Sequence, residues 1–213
     1  MTAGQVRVPY ITAYSNEMVP HPLTFIAHPE STDGLRLSYA DPIPQDWQLG
    51  VLWARQGLHR RGRPEWKIVN TVRQRRCLLR LLCQVCGLSA ANPLDGRTYW
   101  VLADDPGDTS TDAGYTNAPP TCASCIPVAI ATCPRLRRGA RAYTVGGAEP
   151  YGVLADVLRP SGRRPVERER NTAIPLDSFH RLEYALAKQL LLVLDDLRPA
   201  PIQGRPGSGW PLS

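Results

Sequence analysis

Two Cys-x-x-Cys pairs constrain this chain more than any other feature. Cys83-Gln-Val-Cys86-Gly87 and Cys122-Ala-Ser-Cys125 flank a strand-like segment, and together they offer four thiolates. That is the tetrahedral donor set Zn²⁺ takes in closed structural sites. A glycine directly after the first pair permits the tight knuckle that turns both sulfurs toward one metal. The expected cofactor is therefore one structural Zn²⁺ held by Cys83, Cys86, Cys122 and Cys125. Redox use and an iron–sulfur cluster are the alternatives. Thioredoxin-type chemistry needs only one pair at a helix start after a strand, whereas the first pair here follows an expected helix.

The compartment argues the same way. The start, Met-Thr-Ala-Gly-Gln-Val-Arg, lacks the apolar core of a signal peptide, and no stretch approaches the roughly 18 to 20 apolar residues of a membrane span. A cytoplasmic location without a membrane partner is expected. There thiols stay reduced, so six cysteines read as ligands or core residues before disulfides. With 213 residues the chain can bury one core plus a small metal-held module, and 43% apolar content makes wholesale disorder a poor description. We expect one body over residues 1–198, with a zinc module over 83–134 inserted in it and a flexible tail over 199–213.

Periodicity predicts an N-terminal β meander: Val6, Val8, Tyr10 and Thr12 alternate, and Leu23–Ala27 and Leu35–Tyr39 flank a turn-like Pro29–Gly34. Trp47, Val51 and Ala54 recur at helical spacing over 45–56. A second helix is predicted over 66–82, with Ile68, Val72 and Leu79 facing inward. Arg97–Leu102 reads as a strand, residues 104–120 as a loop, and a third helix begins at the second cysteine pair and stops at Pro134. Residues 142–145 and 151–158 read as short strands, and 159–170 as a charged loop. Phe179, Leu182, Leu186, Leu190, Val193 and Leu197 predict a long amphipathic C-terminal helix. The fold class is α+β: an N-terminal antiparallel sheet with packed helices and the inserted zinc module.

Helical rise separates the other two cysteines from the metal shell. Cys133 would lie about 12 Å beyond Cys125, and Cys77 about 9 Å before Cys83, so both read as small core hydrophobes.

A knuckle pair, an intervening strand and a second pair opening a helix resemble the treble-clef zinc finger over roughly residues 83–134. That resemblance extends to the HNH endonucleases, which need a histidine on the strand and another on the helix. The four histidines here are His21, His28, His59 and His180, none within that interval, so nuclease chemistry is not implied. Asp104, Asp105, Asp108 and Asp112 match no cation-loop spacing. Tyr39-Ala-Asp-Pro, Leu49-Gly-Val-Leu-Trp-Ala-Arg-Gln, Arg73-Gln-Arg-Arg-Cys77 and Tyr115-Thr-Asn-Ala-Pro-Pro are similar to segments of uncharacterised actinobacterial proteins, a resemblance that implies no activity.

The formal charge is +6, and lysine occurs only at Lys67 and Lys188. Arginine's forked guanidinium suits phosphate, although GC-rich coding sequence also favours arginine over lysine. Position is more telling. Arg60, Arg61, Arg63, Lys67, Arg73, Arg76 and Arg80 cluster within a span whose single acid is Glu65. Arg73, Arg76 and Arg80 would share one helical stripe, and the cluster is a candidate contact for a DNA or RNA backbone. A solvated face or internal ion pairs explain such a stripe equally well. Arg75, nearer the apolar side, is expected to pair with a buried carboxylate. Trp47, Trp53 and Trp100 read as core, and Trp66 as core or a base-stacking platform.

Three functions follow: a non-catalytic nucleic-acid-binding or regulatory protein, a protein-interaction adaptor using the C-terminal helix, or an enzyme with a pocket near His21 and His28. The last rests on Glu30 and Asp33 lying close by in sequence. Gly-rich phosphate loops, Gly-x-Ser-x-Gly and His-Glu-x-x-His are absent.

Overall fold

The computed structural model describes residues 7–104, 114–161 and 164–202. Its largest element is a 22-residue strand, β8 (Ala140–Ser161), which runs antiparallel to β10 (Ala185–Pro199) over most of its length. The other side of β8 is shared: β7 (Thr98–Ala103) pairs with residues 140–145, and β9 (Arg164–Pro175) with residues 152–161. The start of β10 also pairs in parallel with β5 (Val51–Trp53), which pairs with β4 (Trp47–Gln48), completing a six-stranded mixed sheet. Trp53, Trp100, Val153, Val157, Tyr184 and Leu190 lie in its core.

The α+β class therefore stands, but the principal sheet is built largely from the C-terminal half. The N-terminal strands form two small antiparallel pairs instead. The β2–β3 hairpin (Leu23–Ala27 and Leu35–Tyr39) matches the expected bounds, and β1 (Thr12–Tyr14) pairs with β6 (Pro64–Val69).

Four expected elements have a different form. The segment 45–56 is a tight hairpin, because Leu49 and Gly50 both take positive φ (55° and 75°) as a two-residue turn requires. The predicted 66–82 helix begins only at Thr71: α1 covers Thr71–Leu79 behind an Asn70 N-cap whose side chain accepts the Arg73 N–H. Its buried residues include Gln74, Cys77 and Leu78, while Ile68 and Leu79 are exposed. The C-terminal helix is absent; one helical turn, Phe179–Leu182, precedes strand β10. Leu190, Leu191 and Leu192 are all buried, so both faces of β10 are covered and no amphipathic period selects its form. The charged segment expected as a loop over 159–170 belongs instead to the antiparallel β8–β9 pair.

Helix α1 closes the sheet beside β10. Gln74, fully buried, donates to the Leu190 and Asn117 carbonyls and accepts the Leu190 N–H, so its amide completes the backbone bonding a neighbouring strand would supply. Of the expected tail, Pro199 ends β10, and Ala200 donates to the Ala142 carbonyl. Residues 203–213 lie outside the described residues, as do Val6, Asp105, Asp108 and Asp112.

Candidate metal centre and the basic surface

Helix α1 delivers the chain into the first cysteine pair. The Leu82 N–H bonds the Cys77 carbonyl, and the Cys83 N–H bonds the Leu88 carbonyl across a short reversal. Gly87 closes that reversal at φ 76°, where a Cβ would sit 3.0 Å from the Tyr10 ring. The Val85 N–H points at the Cys83 sulfur, 3.4 Å away. Gln84 joins the two halves of the site: its amide donates to the Pro119 carbonyl and the Thr121 hydroxyl, and its N–H to the Pro120 carbonyl. Cys122 then opens a 3₁₀ turn over Ala123–Cys125 that leads into α2 (Ile126–Thr132). Pro127 sits in the first turn of α2, where its missing N–H costs nothing.

This arrangement brings the sulfurs of Cys83, Cys86, Cys122 and Cys125 within 4.8 Å of one another. Cys86 and Cys122 lie 3.8 Å apart. A disulfide needs about 2.05 Å. The edge of a tetrahedron with Zn–S bonds of about 2.3 Å is about 3.8 Å, so the spacing suits ligation. Burial pushes the Cys83 thiol up to about 11 and Cys125 higher still. Cys122 is partly buried too, yet hydrogen bonds from Ser124 and Cys125 bring it down to about 7. Four such thiols cannot all ionise side by side without a cation, and a divalent metal supplies that charge. The donor set and its spacing fit a closed tetrahedral ion.

Cys133 stands outside the cluster at the end of α2, and Cys77 stands outside it too, although α1 ends at Leu79 and the continuous helix expected to space Cys77 from Cys83 does not form. Cys77 is fully buried, its thiol raised to about 12 by desolvation, and it donates weakly to the Cys83 carbonyl. Cys133 lies between α2 and α3 (Pro134–Arg138) and packs with the partly buried apolar residues around the site. β7 runs between the two cysteine pairs and joins the main sheet through β8, so the module is an outgrowth of that sheet.

The basic cluster separates into buried and exposed members. Arg73 is 2% exposed and forms a forked pair with Glu17 (2.8 and 2.6 Å), which is fully buried. Burial would raise the Glu17 carboxyl, but Arg73 and the N–H groups of Arg60 and Tyr14 outweigh it and hold it below the usual carboxylate range. Arg73 also donates to the Thr12 carbonyl. The expected stripe is thus broken: the segment carrying Tyr10, Thr12 and Glu17 covers the start of α1, whereas Arg76 and Arg80, further along, remain exposed. Arg60 leans over the Tyr14 ring and donates to its hydroxyl. Arg61, Arg63 and Lys67 are exposed.

Arg75 does not meet the expected carboxylate. It is 8% exposed, stacks over the Trp53 ring at 4.1 Å, and its Nη1 is buried without a partner among the described residues. Desolvation lowers its pKa to about 10. Trp53 and Trp100 are core residues, Trp47 is partly buried, and Trp66 is 57% exposed. His21 packs edge-on against Tyr39, while His28 lies against Arg36 beyond the other end of β2. Seven residues of extended chain separate them, roughly 20 Å, so they do not converge. Asp33 instead accepts from the Tyr184 hydroxyl and pairs with His180, a contact between distant segments that sequence spacing could not reveal. No helix is long and apolar enough to cross a membrane among the described residues.

No protein-family model, curated protein or solved structure matches the chain. The treble-clef likeness rests on the order of knuckle, strand and helix alone.

Proposed function

We propose that Cys83, Cys86, Cys122 and Cys125 hold one structural Zn²⁺ in a treble-clef-like module. In this reading the protein is a non-catalytic nucleic-acid-binding protein of the cytoplasm. The observation that carries the second half is Trp66: a large aromatic more than half exposed on β6, with Arg61, Arg63 and Lys67 close in sequence and no carboxylate paired to them among the described residues. Exposed aromatics supply stacking surface for bases, and nearby cations follow the phosphates. Arg76 and Arg80 extend the charge along α1, and Arg60 contributes from the connector while its head group stays on Tyr14. Arg73 takes no part, since its guanidinium is committed to Glu17. Metal in a closed four-sulfur shell has no open position for substrate, which favours a structural role.

Fluorescence anisotropy with duplex and single-stranded oligonucleotides over a salt series tests the reading. Replacing Arg61, Arg63 and Lys67 together with Ala should flatten the slope of log affinity against log salt by up to about 2.7 on duplex DNA. Arg73→Ala should leave that slope unchanged and lower the melting temperature, because Glu17 loses its buried partner. Undetectable binding of the native protein to both DNA and RNA at low salt would discard the nucleic-acid reading. The adaptor alternative no longer has its helix and would need a different surface.

A further inference from the structure

The pairing of β1 with β6 carries a large irregularity. Thr12 lies opposite Val69, whereas its neighbour Ala13 lies opposite Glu65, so Trp66, Lys67 and Ile68 have no partner in β1. They form one bulge. Bulges bend a strand and re-aim its side chains. In a regular strand alternate side chains would turn inward, but all three of these are exposed, Trp66 at 57% and Ile68 at 39%. Neither of the two belongs to any of the three apolar clusters of the interior. Packing among the described residues does not account for the triplet.

Positive charge borders the bulge. The connector before it is pinned by its backbone: the Ser15 N–H donates to the Arg63 carbonyl, the Ser15 hydroxyl accepts the Arg63 N–H, and the Arg61 N–H bonds the His59 ring. The side chains of Arg61 and Arg63 are left exposed, and neither they nor Lys67 pairs with a carboxylate among the described residues. Glu65, the one acid close in sequence, is half-buried in the paired part of the strand, opposite Ala13. Three residues of chain place the Arg63 and Trp66 Cα atoms at most about 11 Å apart.

An exposed ring among cations suits one form of nucleic acid. Inside a duplex both faces of each base are covered by neighbouring bases, and opening a step for an inserted side chain is costly. An unpaired base offers its face freely, and stacking on an aromatic side chain is tolerant of sequence. We propose that the β6 bulge is a single-strand site, in which one unpaired base of DNA or RNA stacks on Trp66 beside Ile68, and Arg61, Arg63 and Lys67 contact the flanking phosphates. The proposal rests on the nucleic-acid reading above and names the form of the ligand. Cations serve single strands and duplexes alike, so Trp66 sets the preference between them.

Fluorescence anisotropy on the full chain tests the site with a mixed-sequence strand of about 12 nucleotides, as DNA and as RNA, and with the matching DNA duplex. Both single strands should bind more tightly than the duplex. Trp66→Ala should weaken single-strand binding about tenfold, the effect of losing one stacked base, and change duplex binding by less than about twofold. Trp66→Tyr should restore most of the affinity, whereas Trp66→Leu, apolar but without a π face, should not. Replacing Arg61, Arg63 and Lys67 together with Ala should flatten the single-strand salt slope by up to about 2.1. Melting curves of the Trp66 variants should match the native protein, as expected for a side chain outside the core clusters. Recovery by Leu, or equal losses on single strand and duplex in Trp66→Ala, would overturn stacking at the bulge, as would tighter binding of the duplex. Native binding that Trp66→Ala leaves unchanged on every probe would overturn this site while the nucleic-acid reading survives. Absence of any native binding would discard both.

Discussion

The cysteine module and the β8–β10 sheet are ordered by different means. Around the four sulfurs the buried apolar residues are small or few: Val85, Ala90, Val101, Ile126, Ala129, Leu136 and Ala142. The sheet core holds Trp53, Trp100, Tyr184, Leu190, Leu192 and several valines. A fully buried Leu or Val contributes roughly 1.5 to 3 kcal/mol, so the sheet can order itself by burial. Ordering the loop-rich module costs about 1 to 2 kcal/mol of backbone entropy per residue, which its smaller side chains offset poorly. In the proposed zinc-bound form, metal binding supplies the folding energy the module lacks.

That contrast predicts unequal responses. The largest belongs to Cys86→Ser, since structural zinc sites carry apparent binding energies of about 10 to 16 kcal/mol. The variant should lose its zinc by elemental analysis, and hydrogen exchange should speed up over residues 82–91 and 116–136 while the β8–β10 amides stay protected. Full zinc content and native melting would remove Cys86 from the shell. Simultaneous loss of protection in β8–β10 would show that β7 couples the two regions into one cooperative unit.

An intermediate effect is expected on the other side. Leu190→Ala leaves a cavity beneath β10 and should cost about 2 to 5 kcal/mol in denaturant unfolding, with the folded protein still holding one zinc. Zinc loss under native conditions would make the metal site dependent on the sheet. The smallest effect is that of Cys133→Ala, a partly exposed position outside the sulfur cluster. Zinc content should not change, and stability should fall by about 1 kcal/mol or less, as the loss of one small half-buried group implies.

Legibility in the sequence follows the same division. Four cysteines in two pairs and a following glycine specify their own geometry over a few residues, and the knuckle and the helix-opening turn formed around them as local spacing required. The β2–β3 hairpin was legible for the same reason: two alternating runs and a turn settle their register locally. The segment from Phe179 to Leu197 was not. Its apolar residues satisfy helical spacing, but Leu190–Leu194 is also a continuous run that a doubly covered strand requires. Leu190 lies opposite Val153 and Leu192 opposite Pro150, pairings some forty residues distant in sequence, and those neighbours decided between two permitted periods.

The arginines divide in the same way. Composition placed a cluster of cations between residues 60 and 80, and their number and proximity followed from the sequence alone. Which of them face water depended on a segment that approaches from residues 10–17. Glu17 meets Arg73 across 56 residues, and Gln74 completes the backbone bonding of Leu190 across 116. The sequence by itself determined the four-sulfur site, because its ligands are specified by spacing within short turns. Only the tertiary structure decided the exposed basic surface, the bulge around Lys67 and the strand at the C-terminus, because a side chain's burial and a strand's partner depend on groups that local spacing does not contain.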